Sequence, residues 1–225
     1  MLAAACGLCA MAAAPAAAQV APNASEVVAY QGLHAAAYLG DVARIEKLVS
    51  AKADVHARDR HGRTPLHVAV FAKQRAAIRA LVRAGANPDQ LDSDRYDGVT
   101  IAAVADDEET LRLLLTLGAS SKLVTSRYDG TALIAAAHLG HDGVVMQLIA
   151  AGAPLDHVNN LHWTAVIESI VLGDGGARHK ATLKALINAG ANLQLTDRQG
   201  NTPMQLAKSR GYQDMVQMLE KSGHR

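Results

Sequence analysis

Histidine side chains are the groups in this sequence with the widest capacity for chemistry. Ten are present, and His138 and His141 are three positions apart, so both could bind one metal ion if they shared a helix face. Gly140 lies between them, at a point where the surrounding pattern predicts the end of a helix. Since no three histidines stand at zinc-binding spacing, we predict that the protein binds no metal.

Four consecutive carboxylates, Asp106 to Glu109, form a second candidate metal site. A calcium loop places its ligands at alternating positions, and this run does not alternate. Carboxylates in the first turn of a helix instead complement the positive end of the helix dipole. The run therefore predicts a helix start rather than a cation site.

Catalysis has little support in the residue pattern. The sequence has no HExxH motif, no nucleophile elbow and no glycine-rich dinucleotide loop. The segment from Leu172 to Lys180 contains adjacent glycines but lacks the Gly-Lys-Ser/Thr ending of a phosphate-binding loop. Glu168 stands alone on an apolar helix near Trp163, and one carboxylate does not make an acid/base pair. We predict a non-enzymatic protein without a cofactor, with an exported hydrolase that uses Glu168 and nearby histidines as an alternative.

A repeated pattern determines the elements that carry these residues. The segment Gly62 to Ala69 reads Gly-Arg-Thr-Pro-Leu-His-Val-Ala, in which Thr64 can cap a helix and Pro65 fits its first position. Small residues such as alanine permit close helix contacts, and each unit needs its neighbours to bury its apolar face. Related segments begin at Leu33, Gly130, His162 and Gly200, and glycine-centred triplets recur at Gly85, Gly118, Gly152 and Gly190.

The period and the Gly-x-Thr-Pro-Leu-His opening resemble the ankyrin repeat. The resemblance implies an all-α solenoid of about six helix-turn-helix units joined by short hairpin loops, over residues 28–225. It also implies that hairpin tips and the exposed face of each first helix bind a protein partner. The positions that this register gives are Tyr38, Arg60, His61, Arg63, Phe71, Tyr128, Asp129, His138, Asn160 and Trp163, beside Ala72, Leu139, Leu161 and Val171.

Two further features favour this surface without settling its use. The motif Arg-Tyr-Asp-Gly occurs at Arg95–Gly98 and again at Arg127–Gly130, which adds Tyr96 and Arg127 to the candidate residues. Such a pair could be a structural ladder of turns closed by aspartate, or a binding hot spot. Trp163, the only tryptophan, could likewise contact a partner or pack on the adjacent unit.

Units three and five depart from the regular pattern. Unit three has a long turn from Asp92 to Gly98. Unit five has an insertion from Leu172 to Lys180, which we expect to lengthen the link between its helices and to contribute to partner contact.

The N-terminal residues have a different composition. Residues 1–18 are apolar and uncharged and end in Ala16-Ala17-Ala18-Gln19, the form of a signal-peptidase site, although a basic region is missing. We predict a signal peptide at 1–18, a short linker at 19–27 and the array at 28–225. Both cysteines, Cys6 and Cys9, lie in the signal peptide, so the mature chain would have no disulfide.

The segments at 127–134, 158–165 and 172–176 resemble exported ankyrin-repeat proteins of Gram-negative bacteria, although His162 stands where glycine is more common. This resemblance implies a periplasmic location and, for some members, a link to peroxide defence. The net charge of +1 argues against nucleic-acid binding. We expect a monomeric, protein-binding module that is not inserted in a membrane, and secretion as an effector into another cell is an alternative.

Overall fold

The computed structural model describes residues 19–222. Within that range the chain forms thirteen α-helices and no β-strand. The all-α fold predicted from the sequence is confirmed. The predicted signal peptide at 1–18, with Cys6 and Cys9, lies outside the described residues.

Twelve of these helices form six antiparallel pairs, which we number as units 1 to 6. They follow a short N-terminal helix, α1, at Ala24–Ala29. The units are α2 Gly32–Leu39 with α3 Val42–Ser50, α4 Pro65–Phe71 with α5 Arg75–Arg83, α6 Gly98–Val104 with α7 Glu108–Thr116, α8 Ala132–Leu139 with α9 Asp142–Ala150, α10 Ala165–Val171 with α11 Ala177–Asn188, and α12 Pro203–Ser209 with α13 Gln213–Ser222.

Local capping sets the start of most first helices. Thr64 accepts a hydrogen bond from the backbone N–H of His67, and Thr202 does the same for Gln205, with proline at the first helical position in both units. Aspartate begins the second helix of unit 3, because Asp107 accepts the N–H of Thr110. The acidic run therefore caps α7, as the sequence predicts.

Packing arranges the helices in two layers. Each first helix contacts the first helix of the next unit, and each second helix contacts the second helix of the next. Alanines such as Ala36 and Ala137 are fully buried in the first layer, while Leu81, Leu114 and Leu148 fill the space between layers. Every unit thus buries its apolar face against its neighbours, which is the mode of stabilisation expected for a solenoid.

The N-terminal segment is packed on the array rather than free. Helix α1 begins at Ala24, inside the stretch expected to be a linker, and Asn23 caps it. The Arg63 guanidinium donates a hydrogen bond to the carbonyl of Val20 at 2.9 Å, across 43 positions of sequence. Residues 20–30 therefore cover the hairpin that precedes α4.

The insertion in unit 5 bridges several units. Part of it lengthens α11 to 12 residues, and part forms the link from Leu172 to Gly176. Arg178 donates to Asp106 of unit 3 at 2.7 and 3.1 Å and to Asp142 of unit 4 at 2.9 Å. Tyr212 of unit 6 donates to the carbonyl of Gly173 at 2.9 Å. The insertion thus ties unit 5 to three other units.

Candidate partner-binding surface

The hairpins before the first helices of units 2, 3, 5 and 6 are each built around one polar side chain. In unit 3, Oδ1 of Asp92 accepts the backbone N–H groups of Asp94 and Tyr96 at 3.0 and 2.9 Å. Asn159 makes the equivalent pair of bonds in unit 5, each 3.0 Å long. Asp59 and Asp197 serve units 2 and 6 in the same way. A short polar side chain that bonds its own loop is a common way to stabilise a tight turn.

The third residue after this polar side chain adopts a left-handed backbone. Glycine takes that position in units 2 and 6, where Gly62 has φ 71° and Gly200 has φ 81°. In units 3 and 5 the position is filled by Arg95, with φ 65°, and by His162, with φ 64°. His162 therefore keeps the turn geometry that glycine provides elsewhere, with the steric cost of a side chain at positive φ.

Backbone hydrogen bonds join adjacent hairpins into one ladder. Ser93 N–H donates to His61 O at 2.9 Å, Ser126 N–H to Arg95 O at 3.0 Å, and Asn160 N–H to Tyr128 O at 2.9 Å. The tips of units 2 to 5 therefore form a continuous edge. A side chain presented at one tip is held at a fixed spacing from those at the next.

The two Arg-Tyr-Asp-Gly motifs occupy different places in their hairpins. Asp97 is buried and caps α6, whereas the α8 cap is Thr131, two residues beyond Asp129. Asp129 instead pairs with Arg95 at 2.8 Å and adopts a left-handed φ of 52°. The two motifs are therefore not equivalent in the structure, because the hairpin of unit 4 closes between Thr125 and Gly130 and is one residue longer.

The predicted contact residues of unit 2 are engaged within the chain. Arg60 and His61 each approach Oε1 of Glu26 at 2.8 Å, and Arg63 approaches it at 3.1 Å. Arg63 also pairs with Asp59 at 2.7 Å and is completely buried. The prediction that Arg63 contacts a partner is therefore wrong, because its guanidinium is buried and already contacts two carboxylates and a backbone carbonyl of the same chain.

These contacts act on the Glu26 carboxyl. Burial raises the pKa of this carboxyl. The hydrogen bond from the Asn23 N–H and the Arg63 and Arg60 guanidiniums lower the pKa by more, and the net result is a pKa of about 2. Glu26 is thus an anion at any physiological pH. The side chains of Arg60 and His61 remain partly exposed, but both already contact the Glu26 carboxylate.

Units 4 and 5 present a different surface, which we call the inner patch. It comprises the exposed side chains of Val124, Leu139, Val158 and Leu161, each between 37% and 42% exposed, and the half-buried Tyr128, His138 and Trp163. Arg127 lies over the Tyr128 ring at 5.3 Å, and the Asn160 amide donates to the Arg127 carbonyl at 2.9 Å. Large apolar side chains grouped at a surface are typical of a partner site.

A buried polar chain crosses beneath this patch. The Asn159 amide donates to Oε1 of Glu168 at 2.8 Å, and His138 Nδ1 lies 3.4 Å from Oε2 of the same carboxylate. The chain links α8, α10 and the hairpin of unit 5. Its sequence neighbours Leu139 and Val158 are members of the inner patch, so the patch spans both the hairpins and the first-helix layer.

Three of the remaining predicted residues occupy equivalent positions in their first helices. Tyr38 and Phe71 are half-buried, one position before the last residue of α2 and at the last residue of α4, and His138 has the equivalent place in α8. Tyr96 is also half-buried, and its carbonyl accepts a hydrogen bond from His67 at 3.1 Å. The structure brings His138, Asn160, Tyr128 and Trp163 into units 4 and 5, whereas Arg60, His61 and Tyr38 lie toward the N-terminal end.

Two members of the inner patch were missed by the sequence reasoning. Val124 and Val158 stand just before the hairpin turns of units 4 and 5. The repeat register shows this position, because Arg58 and Leu91 precede the hairpin turns of units 2 and 3 in the same way. In the structure Arg58 Nη1 donates a hydrogen bond to the Leu91 carbonyl at 3.1 Å. A register that included the residue before each turn would have found them.

Within residues 19–222, no group of three or more His, Cys, Asp or Glu side chains is placed to hold a metal ion. Over the same range, no helix has the length and apolar character needed to cross a membrane.

Comparison with known proteins identifies the fold family. Residues 1–92 and 99–197 match the family model described as "Ankyrin repeats (3 copies)", and residues 176–220 match "Ankyrin repeats (many copies)". A 99-residue stretch is 36% identical to the ankyrin repeat protein YahD of Escherichia coli (strain K12) and covers 44% of this chain. The match spans about half, 49%, of that relative's length.

Solved structures extend the likeness over most of the chain. An ankyrin repeat domain from Acinetobacter baumannii AYE is 41% identical, with a TM-score of 0.80 and coverage of 85% of this chain and 97% of that one. The ankyrin repeat domain of Bcl-3, a member of the IkappaB family, is 27% identical, with a TM-score of 0.76 and coverage of 86% of each chain. With the family match spanning most of its length and the six helix pairs in place, the chain belongs to the ankyrin-repeat family.

Proposed function

We propose that this protein is a non-enzymatic binding module that captures another protein through the inner patch and the hairpin edge of units 3 to 5. Ankyrin repeats are a protein–protein interaction module, and their families are in general non-catalytic scaffolds. The observation that carries the proposal is the set of exposed apolar side chains in units 4 and 5, the units that also hold Trp163 and Tyr128. Aromatic anchors within a polar rim supply most of the affinity of many interfaces.

Preorganisation supports the same function. The hairpin ladder and the packed helices hold these side chains before a partner arrives, so little conformational entropy is lost on binding. In unit 2, by contrast, Glu26 already occupies Arg60 and His61. We therefore place the binding surface in units 3 to 5 rather than along the whole array.

Capture experiments with matched variants test the surface. The chain carrying Tyr128→Ala, Leu161→Ala and Trp163→Ala would be used beside the unchanged chain to crosslink proteins from a periplasmic extract. Met146→Ala is the control, since Met146 is 55% exposed but lies on α9 in the second-helix layer. We expect one dominant partner to be lost with the triple variant and kept with the control. Equal capture by all three chains would refute the surface.

We also propose that the protein is exported to the periplasm, on the basis of the apolar residues 1–18 and the Ala-x-Ala site. Cell fractionation followed by N-terminal sequencing tests this step. We expect the chain in the periplasmic fraction with Gln19 at its N-terminus. Recovery of an uncleaved chain from the cytoplasm would overturn the location while leaving the binding surface to be judged on its own test.

A further inference from the structure

Two glutamates in the described chain are buried, and their carboxylates have different kinds of partner. Glu26 is 7% exposed and Glu168 is 4% exposed. Glu26 meets the guanidiniums of Arg60 and Arg63 within 3.1 Å, together with His61. This is the usual arrangement, because a buried charge without a counter-charge is costly.

Glu168 has no such cation. Within residues 19–222, no Lys or Arg nitrogen lies within 4.0 Å of its carboxylate, whose contacts are the Asn159 amide at 2.8 Å and His138 Nδ1 at 3.4 Å. The amide satisfies Oε1. Oε2 faces only a half-buried histidine, at a distance longer than a normal hydrogen bond.

The repeat itself does not require a carboxylate at this place. The equivalent residues of the other first helices are all apolar: Ala35, Val68, Ile101, Ala135 and Leu206. Unit 5 is also altered at Asn159, where units 2, 3 and 6 have aspartate. An aspartate there would face Glu168 with a second carboxylate, whereas asparagine donates a hydrogen bond to it. Two positions of unit 5 are thus matched to hold one carboxylate beneath the inner patch.

We infer that the inner patch binds an apolar partner segment that carries a single lysine or arginine, whose cation pairs with Glu168. This inference rests on the proposed binding function and adds the chemistry of the partner. The apolar side chains of Leu139, Val158 and Leu161 would bury the segment's own apolar residues. The exclusion of water by that contact strengthens the attraction between the partner's cation and Oε2.

For the partner's cation to reach Glu168, the His138 side chain must move away from Oε2. It lies beside Oε2 and is partly exposed, and the equivalent residues of units 2, 3 and 5 are the apolar Phe71, Val104 and Val171. Rotation of the imidazole out of the patch would open the carboxylate to a partner. An acidic segment is disfavoured at the same place, because its carboxylate would meet Glu168 at short range.

Selection from a displayed peptide library tests this chemistry directly. The full chain and its Glu168→Gln variant would serve as separate baits, since glutamine keeps an oxygen acceptor for Asn159 and removes the charge. We expect peptides from the unchanged bait to be apolar with one Lys or Arg at a fixed position, and peptides from the variant bait to lose that basic residue. Identical consensus sequences on both baits, or acidic consensus sequences, would overturn the inference.

A double-mutant cycle then measures the pair. The consensus peptide and a version with norleucine in place of its basic residue would be titrated against both chains by fluorescence anisotropy. We expect the norleucine change to weaken binding to the unchanged chain roughly tenfold or more, and to weaken binding to Glu168→Gln by less than about threefold. Equal losses on both chains would contradict the pairing. Circular dichroism of each chain checks that the variant is folded.

The failure of this inference can be told apart from failure of the proposed function. Val158→Ser with Leu161→Ser would be titrated with the same peptides. If apolar peptides without a cation bind the unchanged chain and lose affinity for this double variant, the surface is correct and the Glu168 pairing is wrong. If binding is unaffected by the double variant, the surface itself is wrong.

Discussion

Two histidine side chains in this array connect neighbouring units through hydrogen bonds. His34 Nε2 contacts the Arg63 carbonyl at 2.9 Å, and His67 Nε2 contacts the Tyr96 carbonyl at 3.1 Å. The backbone N–H of Thr64 donates to Nδ1 of His67, so Nε2 of that ring carries the proton and is the donor. At the scale of one residue, each ring joins a first helix to the hairpin that follows it.

This role makes His67 sensitive to acid. Burial lowers the pKa of His67 to about 4, against about 6.5 in an unfolded chain. Since the unfolded chain binds the proton more readily, the stability associated with neutral His67 is complete above pH 6.5 and falls as the pH drops toward 4. The loss reaches about 2 kcal/mol at pH 5. Urea unfolding at pH 7 and pH 5 measures it.

The control for this prediction is His67→Gln, which removes the titrating group. We expect that variant to be less stable at pH 7, because the connector is altered, but to lose less stability between pH 7 and pH 5. An equal loss in both chains would show that other groups cause the acid sensitivity.

Hairpin geometry is the main determinant at the scale of the element. Four hairpins share one closure, from the polar residue to the residue four positions later, and the unit 4 hairpin is one residue longer. Gly62 and Gly200 take the left-handed position without cost, whereas His162 does not. The sequence of each turn thus determines both its shape and its strain.

We predict that His162→Gly stabilises the protein by about 0.5 to 1 kcal/mol, because glycine removes the steric cost at φ 64°. The added freedom of the unfolded chain keeps the gain small. Thermal and urea unfolding measure the change. Leu161→Gly is a suitable control, since Leu161 has no positive φ to relieve and should lose stability; a loss in His162→Gly of similar size would contradict the strain.

The insertion in unit 5 is a second element with a measurable effect. Arg178 bonds to Asp106 across 72 positions, and both side chains are partly exposed. We predict a coupling free energy of about 0.5 to 1 kcal/mol between Arg178→Ala and Asp106→Ala, reduced by added salt. A double-mutant cycle on urea unfolding measures it. Lys180→Ala, which breaks an ion pair only with Asp214 of unit 6, should show no coupling to Asp106→Ala.

Stability across the whole molecule should follow the number of neighbours that each unit has. Within residues 19–222, units 2 to 5 pack between two neighbouring units, whereas unit 6 packs on unit 5, and the buried residues of α12 are Pro203 and Ala207. We predict that amide hydrogens of α6, α8 and α10 exchange more slowly than those of α12 and α13. Hydrogen exchange followed by mass spectrometry measures this gradient. Uniform protection from α6 to α13 would indicate a single cooperative block.

The sequence predicted the array well because its signals are local. Thr-Pro caps, glycine-centred triplets and the repeat period lie within one unit, and each has a direct structural cause. The burial of Arg63 could not be predicted in this way, since it depends on Val20 and Glu26, which belong to a segment without repeat character. The different positions of the two Arg-Tyr-Asp-Gly motifs in their hairpins could not be predicted either. One extra residue in the hairpin of unit 4 moves the same four residue types to other places relative to the helix start.

The bridge made by Arg178 also has a mechanical consequence. A solenoid pulled from its two ends loses units one at a time, because each is held only by its neighbours. Arg178 connects unit 5 to units 3 and 4, so these three units share a tether that must break before they can part. Under tension the outer units would peel away first, and the segment that carries the inner patch would extend last, as one piece.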